Sequence, residues 1–493
     1  AGNLILKLEE MRRGLLENEP KRLTDLVELA SYVFAADRTT KRGTLVDKNM
    51  GADWRRHFRL VVAVRELAFW NRPEVATALC DALGFMSEDA WAFEFVPNLQ
   101  PVPLQSFLGL KGGDASSRGQ SSVVLFSGGL DSLAGAVQEL RTNRHVVLVS
   151  HRNNALPSAR QAEMAAKLAK AYPDRVTHVS VRNSLTKKLT DLEQTQRTRS
   201  FFFAALAAVA AHVEGADCIR FYENGVMSVN LPIATQVVGS RASRTTHPRT
   251  LSLLDRLINL VSHKPIAVDN PFIWKTKVEV VTELAASPHA SLITRSLSCS
   301  KTRFGNKSFK SHCGTCIQCL HRRISTVGSG VGELDEAEGY EIDFFLDPRQ
   351  NGRDRVMAVG SLDLALDCAD LSDSQFVVRF AGPLAWCLQA CVPAERPAMA
   401  QKLAHLFRRY GQSVKRLFVE EATKHLPDVL GRKASPDSLL AIVLTSRLES
   451  SIQPRIVVPA APILPEPRDD SGAPREAILV AVDAPRQRIL IRD

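Results

Sequence analysis

Apolar and polar positions follow two different periods along the chain, and the switches between them mark its regions. Between Leu4 and about Pro97, apolar residues recur at helical spacing over Arg22–Ala36 and Pro73–Leu83 and at strand spacing over Phe58–Val64 and Trp91–Phe95. This predicts a small α+β domain over residues 1–108. Gly109–Gln120 is rich in Gly and Ser and reads as a linker. Short apolar runs at Val123–Phe126, His145–Ser150, Val176–Val181, Cys218–Glu223 and Ile266–Val268 then alternate with helical patterns at Leu133–Leu140, Ala159–Ala171 and Phe201–His212. Strands alternating with helices predict an α/β fold, a parallel sheet with helices on both faces, over residues 121–328.

After Gly330 the period becomes helical through Asp363–Leu371, Phe376–Leu388 and Ala398–Glu421, which predicts a helical C-terminal domain over 329–451. Six prolines between Pro454 and Pro474 exclude regular helix or central strand and imply an extended tether. The remainder of 452–493 alternates over Ile478–Ile491 like a hairpin turning at Ala484–Gln487, suited to docking on a partner. There is no internal repeat.

With 493 residues the chain is too long for one ordinary core and fits about three domains. Lys and Arg number 63 against 53 Asp and Glu, a net charge of +10 that favours anionic partners. The excess is spread widely and does not establish nucleic-acid binding. The longest apolar run, Phe201–Ala211, is short of the ~18 residues that a membrane-spanning helix requires, and the amino end shows no secretion pattern. A cytoplasmic protein with no membrane association is expected. Trp54, Trp70 and Trp91 and the Phe201–Phe203 run read as packing residues.

Val123–Phe126 runs directly into Ser127-Gly128-Gly129-Leu130-Asp131-Ser132 and then a helix, so main-chain amides converge at the carboxyl edge of a strand. That is an anion site built from backbone. Gly128 and Gly129 allow close approach of a phosphate, the Ser127 and Ser132 hydroxyls can donate to it, and Asp131 can orient magnesium or cap the helix. No Walker lysine follows, which argues against the ordinary phosphate loop that transfers a γ-phosphate.

Nine cysteines in a large chain without a secretion signal point to metal where they crowd. Cys299, Cys313, Cys316 and Cys319 form a Cys-x13-Cys-x2-Cys-x2-Cys pattern, which suits structural zinc. His312 and His321 flank the knuckle as secondary or exposed residues. From Arg295 to Arg323 there are seven Lys or Arg and no acid, which reads as a basic cover for thiolates, a surface for a phosphate or an acidic partner, or equally a solvated basic loop.

Ser127–Ser132 resembles the SGGxDS signature of the PP-loop ATP pyrophosphatases, of adenine nucleotide alpha hydrolase-like (HUP) fold, which split ATP between its α- and β-phosphates. Taken with the four-cysteine knuckle, it resembles the 7-cyano-7-deazaguanine synthase (QueC) family over roughly Ser121–Ser325. Leu148–Lys170 is similar to that family's second strand and helix. Asn270-Pro271-Phe272 with Lys275–Val281 is similar to its later Pro and Lys-x-Glu helix, and Arg322 matches the arginine after the last cysteine. The resemblance implies an ATP-dependent C–N ligase that adenylates a 7-deazaguanine-type carboxylate, releases pyrophosphate and lets an amine displace AMP. It also implies ATP and Mg2+ at Phe126, Ser127, Gly128, Gly129, Leu130, Asp131 and Ser132, with Asp131 and Ser132 catalytic, Arg199 neutralising phosphate, and structural Zn2+ on Cys299, Cys313, Cys316 and Cys319.

Where the family carries its substrate loop this chain has Phe221–Pro232, in which Glu223 and Asn224 are candidates to read a purine-like edge or simply turn residues. Gly239–Thr250, with Arg241, Arg244 and Arg249, is a candidate lid over the phosphates. The added regions resemble the enlarged QueC-like proteins of bacterial antiphage systems, QatC-like proteins of the Qat system among them. That implies antiviral defense and a protein partner from the same system that receives the base. The competing readings are a tRNA-modifying PP-loop enzyme, for which Cys218 is the one cysteine in the central sheet ahead of the knuckle and reads better as a buried structural residue, and a nucleotide-binding scaffold without turnover.

Overall fold

The computed structural model describes residues 4–7, 21–42, 55–99, 120–151, 155–185, 193, 195–233, 244–301, 310–349, 352–450, 478–483 and 488–492. The 109–119 part of the expected linker, the 452–477 tether, the 484–487 turn and Trp54 lie outside them. The chain opens with β1 (Leu4–Lys7), α1 (Lys21–Thr39), β2 (His57–Val64), α2 (Leu67–Trp70), α3 (Pro73–Ser87) and β3 (Ala90–Pro97). β4 (Ser121–Leu125), α4 (Leu130–Arg141), β5 (His145–His151), α5 (Ala155–Ala171), β6 (Val176–Leu185), α6 (Arg199–Val213), β7 (Cys218–Arg220), α7 (Gly225–Val229), α8 (Pro248–Val261), β8 (Ala267–Asp269) and α9 (Lys277–Ala285) follow. The rest is helical through α10 (Ile317–Gly328), α11 (Gly352–Asp370), α12 (Asp373–Arg379), α13 (Ala381–Leu388), α14 (Arg396–Lys424), α15 (Leu426–Leu430) and α16 (Leu439–Ser450), before the strands β9 (Ile478–Asp483) and β10 (Arg488–Arg492).

The fold is α/β. Its main sheet has the order β1-β6-β5-β4-β7-β8, with β4 to β8 parallel and β1 antiparallel on the outer edge beside β6. Successive strand residues point to opposite faces. Val123, Leu125, Val147 and Val149 pack with α1, α6 and α8, while Val124, Phe126, Val146 and Leu148 pack with α4, α5 and α9. Burial on both faces is why these strands read as unbroken apolar runs. The apolar run Phe201–Ala211 is α6, buried all round, with Phe202 stacked on Phe34 of α1 at 5.6 Å. A helix apolar on every side belongs in such a core. Among the described residues no helix is long and apolar enough to cross a membrane.

A second sheet has the order β10-β9-β2-β3. The terminal hairpin therefore adds its first strand in parallel beside β2, so it docks on the chain's own opening region, where the sequence had suggested a partner. Alternation reveals a strand but not which edge it will cover. The apolar residues of this region, Trp70 and Leu60 among them, are continuous with the core on one face of the main sheet. Buried ion pairs support the junction: Arg56 pairs with Asp37 at 2.5 Å and with Asp89 at 2.8 Å, and Thr198, ahead of α6, donates its N–H to Asp37 at 2.9 Å. The Phe376–Leu388 pattern divides at Phe380 into α12 and α13, close to Pro383, which lacks an N–H.

Candidate functional site

Strand character persists just past β4, since Phe126 donates its N–H to Val149 O at 2.8 Å, and α4 begins four residues later with Gly129 as its N-cap. Between them Gly128 has φ +82°, and a Cβ there would lie 2.9 Å from Gln161 Cγ. Only glycine suits a turn this tight. The amides of Leu130, Asp131 and Ser132 open α4, where helix geometry leaves N–H groups without intrahelical acceptors. Ser127 is exposed, so the turn is open to a ligand, while Leu130, Asp131 and Ser132 are buried. Ser127 Oγ and Ser132 Oγ lie 3.2 Å apart, and Ser132 Oγ donates to Gly129 O at 3.1 Å. From α5, Gln161 Nε2 donates to Ser127 O at 2.9 Å, fixing the turn from the other side.

The Asp131 carboxylate accepts a hydrogen bond from Lys277 Nζ, with both side chains under a tenth exposed, and another from Asn224 Nδ2 at 3.4 Å. Lys277 was legible only as part of the Lys275–Val281 segment. The usable signal was Thr276-x-x-Glu279, a capping box that fixes Lys277 as the first residue of α9. Such a buried pair is a poor source of stability, because desolvating each charge costs several kcal/mol. The pair lies beside the glycine turn that opens α4.

The structure brings Glu223 and Asn224 to the same point. Asn224 Oδ1 accepts from Met227 N at 3.2 Å and its Nδ2 also reaches Glu223 Oε1 at 3.3 Å, so both ends of the amide are used inside the protein. Of the two, Glu223 is the one that keeps partial exposure. Arg199 opens α6, with its guanidinium carbon 5.2 Å from the Phe203 ring centre. Of the candidate lid, residue 241 lies outside the described residues. Arg244 pairs with Glu88 at 2.7 Å, while Arg249 lies between the Phe85 and Trp386 rings, 4.8 and 4.6 Å from their centres. These two arginines join three regions of the chain, because aromatic faces and a carboxylate lie within reach of them.

Cys316 is the N-cap of α10, Cys319 lies in its first turn, Cys313 precedes it in a turn, and Cys299 enters from the segment after the 3-10 helix Ala290–Arg295. All four are buried, with their sulfurs within 4.8 Å of one another and Cys313 Sγ 3.9 Å from Cys319 Sγ. A zinc tetrahedron with ~2.3 Å arms has sulfur–sulfur edges of about 3.8 Å, so the four thiols can hold a metal ion such as zinc. Hydrogen bonds among the sulfurs hold the Cys313 and Cys316 thiols low and those of Cys299 and Cys319 high. The N-terminus of α10 also favours negative sulfur.

His312 and His321 are both buried, so of the two expectations, secondary or exposed, exposure does not hold. His312 stacks on Tyr340 at 5.0 Å, and His321 is brought down to about 4 by burial and the nearby Lys277 charge. The basic stretch is consumed internally, as far as it is described. Arg295 pairs with Glu163 at 3.2 Å, Lys301 with Asp354 at 3.1 Å and Arg322 with Asp335 at 2.8 Å, and Lys310 donates to Tyr340 O at 2.7 Å. Arg322 also donates to Ser296 Oγ at 2.8 Å and Ile293 O at 3.1 Å, and Leu297 N reaches Gly128 O at 2.9 Å. The cysteine cluster and the glycine turn are therefore one bonded unit.

Cys218 is buried at the start of β7, where desolvation pushes its thiol up to about 12. A cavity of about 320 Å³, lined by Arg323, Tyr340, Phe344, Phe345, Glu421 and His425 among others, lies beside the cysteine cluster and includes no residue of Ser127–Ser132. No family model matches the chain, and no curated protein matches it.

Proposed function

We propose that the chain is an ATP-dependent C–N ligase that adenylates a 7-deazaguanine-type carboxylate, on a fold of the adenine nucleotide alpha hydrolase kind. The observation that carries this is the Lys277–Asp131 pair, held at a glycine turn between a central parallel strand and the helix it feeds. The turn amides, with Ser127 and Ser132, bind the phosphates of ATP at the carboxyl edge of the sheet. A substrate carboxylate oxygen attacks the α-phosphorus, the bond to the β-phosphate oxygen breaks, and pyrophosphate leaves. An amine nitrogen then attacks the acyl carbon, loses a proton, and AMP departs with its oxygen.

Lys277 supplies positive charge where the departing pyrophosphate gathers negative charge. Asp131 would hold magnesium, which supplies further charge neutralisation when bound. Cys299, Cys313, Cys316 and Cys319 would hold structural zinc. The tRNA-thiolase reading lacks its nucleophile, because Cys218 is buried and held as thiol. In antiphage defence, the acceptor would be an amine of a partner protein.

Intact-mass spectrometry of candidate partners from the same defence system, incubated with the chain, ATP, Mg2+ and 7-carboxy-7-deazaguanine, tests the reading. A partner gaining the acyl-deazaguanine mass, or a free amide or nitrile product, supports it. Unmodified partners together with unchanged acid contradict it.

A further inference from the structure

The role of the C-terminal helices is written on one face of α14. Lys402, Leu406, Arg409 and Tyr410 succeed one another at helical spacing. Lys402 Nζ lies 5.4 Å over the Trp274 ring. Arg409 Nε donates to Glu279 Oε1 at 2.8 Å and its Nη2 donates to Trp274 O at 2.7 Å. Glu279 is the capping-box residue of α9, accepting from Thr276 N at 2.8 Å, and Lys277 lies between the two. Leu406 is buried against Gly225, where any Cβ would strike its methyl and Ile273 O, and Gly225 follows Asn224 directly. Tyr410 lies 6.0 Å from the buried His321 of α10, ring centre to ring centre. One helix thus reaches both elements whose side chains bond Asp131, and α10 beside them.

Resting on the nucleotide-binding reading above, we infer that Arg409 is a positioning residue, which sets Lys277 against Asp131 by gripping the start of α9 from the helical region. It acts through Glu279 and the Trp274 carbonyl and touches no phosphate itself. Arg409 and Glu279 are 44% and 37% exposed, so the pair contributes little to stability. The loss should appear in function and not in folding.

The test is ATP·Mg2+ affinity by calorimetry, with the thermal midpoint beside it, for wild type, Arg409→Ala, Arg409→Lys, Glu279→Gln and the double variant Arg409→Ala/Glu279→Gln. Lys415→Ala is the control, since it removes a pair with Asp370 elsewhere on the same helix. The inference expects about fivefold weaker ATP binding for Arg409→Ala with the midpoint held, partial recovery in Arg409→Lys, no change in Lys415→Ala, and a double variant no worse than the worse single one. Wild-type ATP affinity in Arg409→Ala, or additive losses in the double variant, overturns the role of Arg409 alone. A wild-type chain that binds no ATP overturns the underlying reading, and this inference with it.

Discussion

Leu297 donates its backbone N–H to Gly128 O at 2.9 Å, two residues before Cys299 enters the cysteine cluster. Arg322, three residues after Cys319 on α10, holds Ser296 from the other side at 2.8 Å. A metal that gathers the four sulfurs therefore also fixes the Ser296–Cys299 segment that supports the glycine turn.

Metal content should match one ion per chain. Chelation, or Cys313→Ser, is expected to weaken ATP binding at least tenfold as well as lower the thermal midpoint. The linkage is reciprocal, so ATP·Mg2+ should slow release of zinc to a colorimetric chelator. An ATP affinity indifferent to metal would break the proposed connection.

Lys277→Met leaves the Asp131 charge buried without its partner, and should cost about 3 kcal/mol of stability along with ATP binding. Lys277→Met combined with Asp131→Leu removes both charges. Denaturant unfolding should then show most of the stability restored, while calorimetry still detects no ATP binding. Recovery of both properties together would remove the chemical role from this pair.

Gly128→Ala introduces a Cβ at φ +82° against Gln161 and should cost about 1–3 kcal/mol, with loss of nucleotide binding. Gln161→Ala in the same background relieves the contact but not the backbone strain. Only a small part of the lost unfolding free energy should return.

Acid stability carries a signature of His247. Its Nδ1 accepts from Arg249 N at 3.1 Å, its Nε2 lies 3.3 Å from Cys387 Sγ, and burial, with the charges of Arg244 and Arg249, brings it down to about 3. The unfolded chain binds a proton there below about pH 6.5, whereas the folded chain stays neutral until about 3. Stability from this group is thus complete above pH 6.5 and falls by about 1.4 kcal/mol per pH unit as acidity rises toward the folded value. His247→Asn should flatten that part of the unfolding free energy against pH.

Much of the central region was legible because its physics is local. A β strand buried on both faces, a glycine turn and a helix start leave consecutive marks from Val123 to Leu140, and so does a cysteine knuckle from Cys313 to Cys319. What escaped is what depends on long-range pairing. β1 lies against β6 and the terminal hairpin against β2, neither of which alternation can specify. Lys277, 146 residues from Asp131 in sequence, was visible as a helix start but not as its partner. The basic stretch around the knuckle looked available to a ligand because its carboxylate partners, Asp335 and Asp354, lie outside it.

The most direct measurement is the identity of the nucleotide products when the purified chain meets ATP, Mg2+, 7-carboxy-7-deazaguanine and ammonia, with Asp131→Asn alongside. The account predicts equal amounts of AMP and pyrophosphate, dependent on the acid and lost in Asp131→Asn. ADP and phosphate, or no AMP with this acid, would contradict it.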